Sequence, residues 1–368
     1  MTQLDETTPT LGDAVLPTAD DELWWTRCPV PNTFGLAARR GSYRAEFPAD
    51  GGLRWIALQQ SDDPLVHESH FTHTKQRSFR HGGNVPALWA RSEGADTRLI
   101  GLTWQPALQP VLALPGSGIE GPADLKGRRL LVPVNPHAKI DFWQAVTLRV
   151  YEQALASAGL SLDDVELVRV SQDRPFGRRP DPTRPLRGDL SELARQGTLI
   201  RLTLLPLVRG EVDAIVNQGH DAVLIALATG ARVVFDQGLA ADPLDRVNND
   251  LPDAFTVSGR LADEHPEQVA RVVARALETH AWAVANRQAA IEVLGRELGI
   301  SEEVLRAAYG DDPTPGFEVN LAADRIAGLN EQKSFLLRHG FIRRDVDIAQ
   351  WVDPRPLELA RELLKERS

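Results

Sequence analysis

Seven short apolar runs recur along the first two thirds of the chain: LRWIAL (53–58), TRLIGL (97–102), VLALPG (111–116), RRLLVPV (128–134), VELVRV (165–170), VDAIVN (212–217) and ARVVFD (231–236). Their length and bounding turn residues predict strands. Helical patterns separate most of them. FWQAVTLRVYEQALASAG (142–159) puts Trp143, Val146, Val150 and Leu155 near one stripe and stops at Gly159, and GHDAVLIALATG (219–230) stops at Gly230. Strands alternating with helices predict parallel sheets covered on both faces. Beyond about residue 258 the strand signals cease, and helices are expected over 266–286, 287–299 and 320–340, with Ser301 capping a shorter one.

Between two of these elements SQDRPFGRRPDPTRPLRGD (171–189) carries four prolines and little apolar periodicity, which predicts a long surface loop with the character of a lid. The acidic, polar start MTQLDETTPTLGDAVLPTADDE lacks the basic-then-apolar order of a secretory signal, so residues 1–20 read as a disordered leader and the expected location is the cytoplasm. Two lobes are expected for 368 residues: residues 21–108 with 237–368 in one, 109–236 in the other.

Composition narrows the chemistry. A net charge of −10 disfavours nucleic acid as a partner, and no run of 18 apolar residues suggests a membrane span. The single cysteine, Cys28, rules out an intramolecular disulfide and any CxxC metal site. Alone, such a cysteine is a small buried hydrophobe. Its surroundings raise a second reading, because the strand-like LWWT precedes it and Asn32 is placed to cap a helix over Thr33 to Arg40. The thiol then stands between the carboxyl end of a strand and the start of a helix, where open α/β sheets bind ligands. A helix dipole supplies only about 0.3–1 kcal/mol to an anion there, so holding a thiolate needs another positive group.

Two motifs carry a resemblance. Residues 105–135 and VRGEVDAIVNQGHDAVLIALATGARVVFD (208–236) look like the crossovers of periplasmic binding proteins of the sulfonate-, nitrate- and thiamine-precursor-binding superfamily. More narrowly, CPVPN (28–32), and HFT (70–72) followed by Arg80, Gly82 and Gly83, resemble the 2'-hydroxybiphenyl-2-sulfinate desulfinase family. The resemblance implies a two-lobed type II periplasmic-binding-protein-like α/β fold with mixed or parallel sheets and a ligand cleft between lobes. It also implies a cytoplasmic enzyme that splits an aryl sulfinate into sulfite and the arene without a cofactor, with Cys28, His70, Arg80 and Gly83 in the active site and Trp143 at the pocket. A short segment before Trp143 and Arg27 beside the cysteine depart from the family pattern, so the aryl group can differ.

Each of these side chains suits that chemistry. A thiol aided by His70 can attack the sulfinate sulfur, or can instead protonate the ring carbon that bears it; both routes stay open. Arg80 offers a planar fork for two oxygens of one anion, with Arg27 as a second source of positive field. Gly82 and Gly83, ahead of a helix expected over 84–92, offer backbone N–H groups to the same anion. Phe71 and Trp143 suit an aryl wall. His67, His70, His73 and His81 fall within fifteen residues, but they lack an HExxH arrangement and carry one acidic neighbour, so no metal is expected. The expected partner is a small aryl sulfinate and the expected state a monomer. The rival from another class is a non-catalytic sulfonate-binding protein serving an ABC transporter; an enzyme of thiamine-pyrimidine type is disfavoured because such enzymes use a cysteine-rich stretch.

Overall fold

The structure is a computed structural model that describes residues 10–48, 50–171 and 198–367. Ten strands form two five-stranded mixed sheets. The first runs in the order β2 (Arg54–Ala57), β1 (Glu22–Arg27), β3 (Ser78–Gly82), β10 (Asp253–Ser258), β4 (Thr97–Thr103). The second runs β7 (Glu166–Ser171), β6 (Arg129–Val134), β8 (Ala214–Val216), β5 (Pro110–Ala113), β9 (Arg232–Asp236). All seven apolar runs lie on strands of these sheets.

The sheets are not wholly parallel, as the alternating pattern suggested. β1 pairs in parallel with β2 and β3, and β6 with β7 and β8, but β10 is antiparallel to β3 and β4 and β5 is antiparallel to β8 and β9. The reversed strands are those on which the chain enters a sheet straight from the other one, without an intervening long helix to return it to the far end.

Capping chemistry sets the helices near the site. Asn32 Oδ1 accepts from Gly35 N at 2.7 Å and starts α1 (Thr33–Arg39), which α2 (Ser42–Glu46) follows. Asp63 caps α3 (Pro64–Thr72), Gly83 precedes α4 (Asn84–Ser92), and Asp141 caps α5 (Phe142–Ser157). The expected C-terminal helices are present as Pro266–Ala285, Arg287–Leu298, Glu302–Tyr309 and Ala323–Arg338. No helix among the described residues is long and apolar enough to cross a membrane.

Under β1 and β3 an aromatic cluster forms the floor of the first sheet: Trp25 stacks on Trp55 at 5.8 Å, and Phe34 meets Tyr43 at 4.7 Å and Phe255 at 5.3 Å. A second core joins the two sheets, uniting Leu99 and Leu102 of β4, Leu130 of β6, Tyr151 of α5 and Phe335 of the helix Ala323–Arg338. An ion pair of Arg149 with Glu331 at 2.9 Å and a hydrogen bond between His339 Nε2 and Glu152 at 2.6 Å reinforce it.

Residues 10–20 are tied down, contrary to a disordered leader. Leu11 N donates to Glu93 O, Leu16 exchanges hydrogen bonds with Thr74 and Gln76, and Lys75 Nζ reaches Pro17 O. The lid-like loop expected over 171–189 lies outside the described residues from 172 onward.

Candidate active site

Strand alternation decides which side chains meet. Side chains two apart on β1 share a face, so Thr26 and Cys28 point the same way and Arg27 points oppositely. The parallel register sets Thr26 beside Arg80, and β10 places Thr256 and Ala254 opposite Arg80 and Gly82. Cys28 follows the last residue of β1, and its N–H donates to His81 O at 3.0 Å, extending the pairing by one bond. α3 then lays His70 over this face.

The result is a buried triad. Cys28 Sγ lies 3.8 Å from His70 Nε2 and 3.7 Å from Arg80 Nη2. Exposure is 9% for Cys28, 1% for His70 and 2% for Arg80. Arg80 is locked: Nε donates to His70 O and Nη1 to Gly83 O, both at 2.9 Å. Behind His70, its Nδ1 is 2.8 Å from Thr26 Oγ1, and Gln59 Nε2 donates to that oxygen at 3.1 Å.

Arg80 has no carboxylate within ion-pairing distance among the described residues. The nearby Asp253 does not cancel its charge: burial, and then Asp250, raise the Asp253 pKa well above the usual carboxylate value despite the opposing pull of Arg80. His73 and His81 stay neutral as well, each pushed down to about 3 by burial and then by Arg80. The guanidinium thus keeps its positive charge in a low-dielectric place, which suits an anion.

These buried imidazoles predict an acid-labile fold. Because the folded pKa of His81 lies below its ordinary 6.5, the unfolded chain takes up the proton first, and stability drains as pH falls from about 6.5 towards 3. Asp253 acts oppositely, losing stability as pH rises above 3.8, so the comparison must be made between variants. From pH 7 to pH 5 the parent should lose about 2 kcal/mol relative to His81→Gln, measured by denaturant unfolding. Parallel pH curves would contradict the neutral assignment.

Not every expected side chain joins the site. Arg27 projects from the other face of β1 into an ion pair with Glu297, which Arg39 also approaches at 3.5 Å, and its Nη1 donates to Cys28 O. It braces the strand from behind instead of facing the thiol. The start of α4 is likewise occupied: Asn84 N donates to Asn249 O at 2.6 Å and Val85 N to Asn249 Oδ1 at 3.1 Å. Gly83 serves Arg80 with its carbonyl and leaves room for Asn249, whose Nδ2 would sit 2.1 Å from a Cβ placed there.

Gly82 has a sharper requirement. A Cβ there would lie 2.3 Å from Cys28 Sγ and 2.7 Å from Cys28 Cβ, and β3 is paired on both sides, so it cannot retreat. Gly82→Ala should displace the thiol and cost about 1–3 kcal/mol of stability. Thermal unfolding checks this; an unchanged protein would contradict the geometry.

Phe71 and Trp143 are linked through a residue that sequence reasoning missed. Phe71 meets the His70 ring edge-on at 4.8 Å and stacks on Phe142 at 6.3 Å, and Phe142 meets Trp143 at 5.6 Å. This aromatic line runs from α3 to α5, joining the first sheet's helices to the second's. Thr26 was missed too, although its position two before Cys28 on one strand was a usable signal; Gln59 and Asn249 carry none in the local sequence. The histidines do not converge: His67 Nε2 meets Ser61 O, His73 Nδ1 meets Phe71 O and His81 Nε2 meets Thr103 Oγ1. Among the described residues no group of three His, Cys, Asp or Glu could hold a metal.

Residues 72–177 match the family model described as NMT1/THI5 like. The chain is 28% identical over 357 residues to 2'-hydroxybiphenyl-2-sulfinate desulfinases of Rhodococcus erythropolis and Rhodococcus qingshengii, covering 91% of this chain and 92% of each relative. It also resembles the crystal structure of a cysteine-to-serine mutant of the desulfurization enzyme DSZB in complex with biphenyl-2-sulfinic acid, at 27% identity and TM-score 0.71, over 95% of this chain and 100% of that one. The periplasmic aliphatic sulphonate binding protein SsuA from Escherichia coli shares the fold at 18% identity and TM-score 0.63, over 91% and 92% of the two chains. The architecture is therefore periplasmic-binding-protein-like, and the resemblance carried by CPVPN and HFT extends along nearly the whole chain.

Proposed function

We propose that this protein is a cysteine-dependent desulfinase, a hydrolase of carbon–sulfur bonds that works in the cytoplasm as a monomer and needs no cofactor. It converts an aryl sulfinate and water into the arene and hydrogen sulfite. The observation that carries this reading is the buried meeting of Cys28, His70 and Arg80, with His70 Nε2 and Arg80 Nη2 converging on one sulfur. A protein that only binds an anion has use for Arg80 but none for a thiol held at that point. Similarity to desulfinases across the chain supports the substrate class.

Arg80 is the sulfinate's countercharge, and Cys28 supplies the reacting sulfur or its proton with His70 beside it. Phe71, Phe142 and Trp143 form the apolar side that receives the aryl ring.

A panel containing benzenesulfinate, biphenyl-2-sulfinate, 2'-hydroxybiphenyl-2-sulfinate and several alkanesulfonates separates the two classes. Sulfite release from aryl sulfinates is expected. Tight alkanesulfonate binding with no sulfite from any compound would establish the binding protein instead.

A further inference from the structure

We propose that Thr26 and Gln59 are positioning residues that fix which nitrogen of His70 carries the proton, and that this arrangement reserves the Cys28 thiol proton for the substrate. The inference rests on the desulfinase reading and deepens it. It starts from a chain of buried hydrogen bonds: Gln59 Nε2 to Thr26 Oγ1 at 3.1 Å, then Thr26 Oγ1 to His70 Nδ1 at 2.8 Å, with His70 Nε2 facing Cys28 Sγ at 3.8 Å. Thr26 is 1% exposed and Gln59 9%.

A threonine hydroxyl has one proton to give. Thr26 Oγ1 receives the Gln59 amide N–H, and among the described residues His70 Nδ1 is the one acceptor within hydrogen-bond reach of it, so the hydroxyl's own hydrogen is turned to Nδ1. Nδ1 then accepts, and the proton of the neutral ring sits on Nε2. In that tautomer His70 aims an N–H at the sulfur and has no lone pair there to take a proton from it. Arg80 Nη2, the other group facing Sγ, is also only a donor.

The direction of proton flow follows. The Cys28 S–H bond breaks towards the ring carbon that bears sulfur, and a π pair of the ring forms the new C–H bond. The carbon–sulfur bonding pair then returns to the ring and sulfur departs as sulfur dioxide. Sulfinate anion plus thiol thus becomes arene, sulfur dioxide and thiolate, with the single negative charge moved onto Cys28. The two N–H groups are already placed for that charge. Water adds to sulfur dioxide to give hydrogen sulfite and a proton, and the proton restores the thiol. No electrons are exchanged with a second reactant.

Thr26 meets His70 behind the ring, so its removal should act on turnover and spare binding. Thr26→Val, close in shape but without the hydroxyl, should lower kcat about 10- to 100-fold with KM nearly unchanged, whereas Thr26→Ser should restore most of it. Nitrogen-15 NMR of histidine-labelled protein, with the His70 signals assigned by their loss in His70→Gln, reads the tautomer directly. Protonated Nε2 and unprotonated Nδ1 are expected in the parent and in Thr26→Ser, and a mixture in Thr26→Val. A protonated Nδ1 in the parent would mean the chain runs the other way and would overturn the proposal, as would full kcat in a folded Thr26→Val protein. Failure of the parent to release sulfite would count against the desulfinase reading, while the NMR result would still decide the tautomer.

Discussion

Cys28→Ser should abolish sulfite release while leaving a folded protein that still binds its sulfinate. The thiol is only 9% exposed, and the exchange of sulfur for oxygen keeps the shape of the side chain while shrinking it slightly, so the packing around it should survive. Serine is a far weaker acid than cysteine near neutral pH and a poorer nucleophile, so the loss is expected on either chemical route. Removing a group that transfers a proton in the rate-limiting step costs about 10²–10⁴-fold, and a residual rate below the assay limit is the expected reading. Thermal unfolding should move by no more than a few degrees, roughly the scale of a 1 kcal/mol change. A protein that unfolds would return Cys28 to the status of a core residue, and one that keeps most of its turnover would remove the thiol from the chemistry.

Arg80 should show the second large effect, and on binding itself. Its three nitrogens serve three different acceptors, His70 O, Gly83 O and Cys28 Sγ, so the plane of the guanidinium is fixed before any ligand arrives. Lysine keeps the charge but cannot reproduce that planar set, and it leaves at least one buried carbonyl unpaired. Charge-assisted hydrogen bonds are worth about 1.5–3 kcal/mol, so Arg80→Lys should weaken aryl sulfinate binding at least tenfold. Arg80→Ala should weaken it further, because burial raises the Asp253 pKa well above the ordinary carboxylate value and, among the described residues, no carboxylate pairs with Arg80 at close range; the charge lost is the one that meets the anion. Calorimetry in the Cys28→Ser background isolates binding from turnover. Equal affinities in Cys28→Ser alone and with each Arg80 change would leave Arg80 a purely structural residue.

Where burial is apolar, the chain announces its elements: VLALPG, RRLLVPV and ARVVFD all lie on strands, and the helix over 84–92 and those ending at Gly230 and Gly299 stop where the pattern stops. Where burial is polar, it does not. β3 reads SFRHG, with Arg80 and His81 buried by the site they build, so no apolar alternation marks it as a strand. α3 is obscured for the same reason, since its apolar face is interrupted by His70 and Ser69. Function here overwrites the pattern by which secondary structure is recognised.

The candidate site divides similarly. Cys28, His70 and Arg80 meet at the sulfur, with contacts of 3.8 Å and 3.7 Å, and Gly82 and Gly83 stand beside them, Gly83 through its carbonyl and not the expected N–H; Arg27 does not join them, as strand alternation places neighbours of Cys28 on the opposite face. Asn249, which caps α4, and Gln59, which backs Thr26, reach the site from distant segments. Only the folded chain brings them there.

The most direct test of desulfination at Cys28 is a product count. Purified protein is given an excess of 2'-hydroxybiphenyl-2-sulfinate, and sulfite and arene are quantified together against a Cys28→Ser control. The account predicts equal amounts of both products, many times the enzyme concentration, and neither from the control. Saturable binding of the sulfinate with no sulfite formed, or equal product from the control, would contradict it.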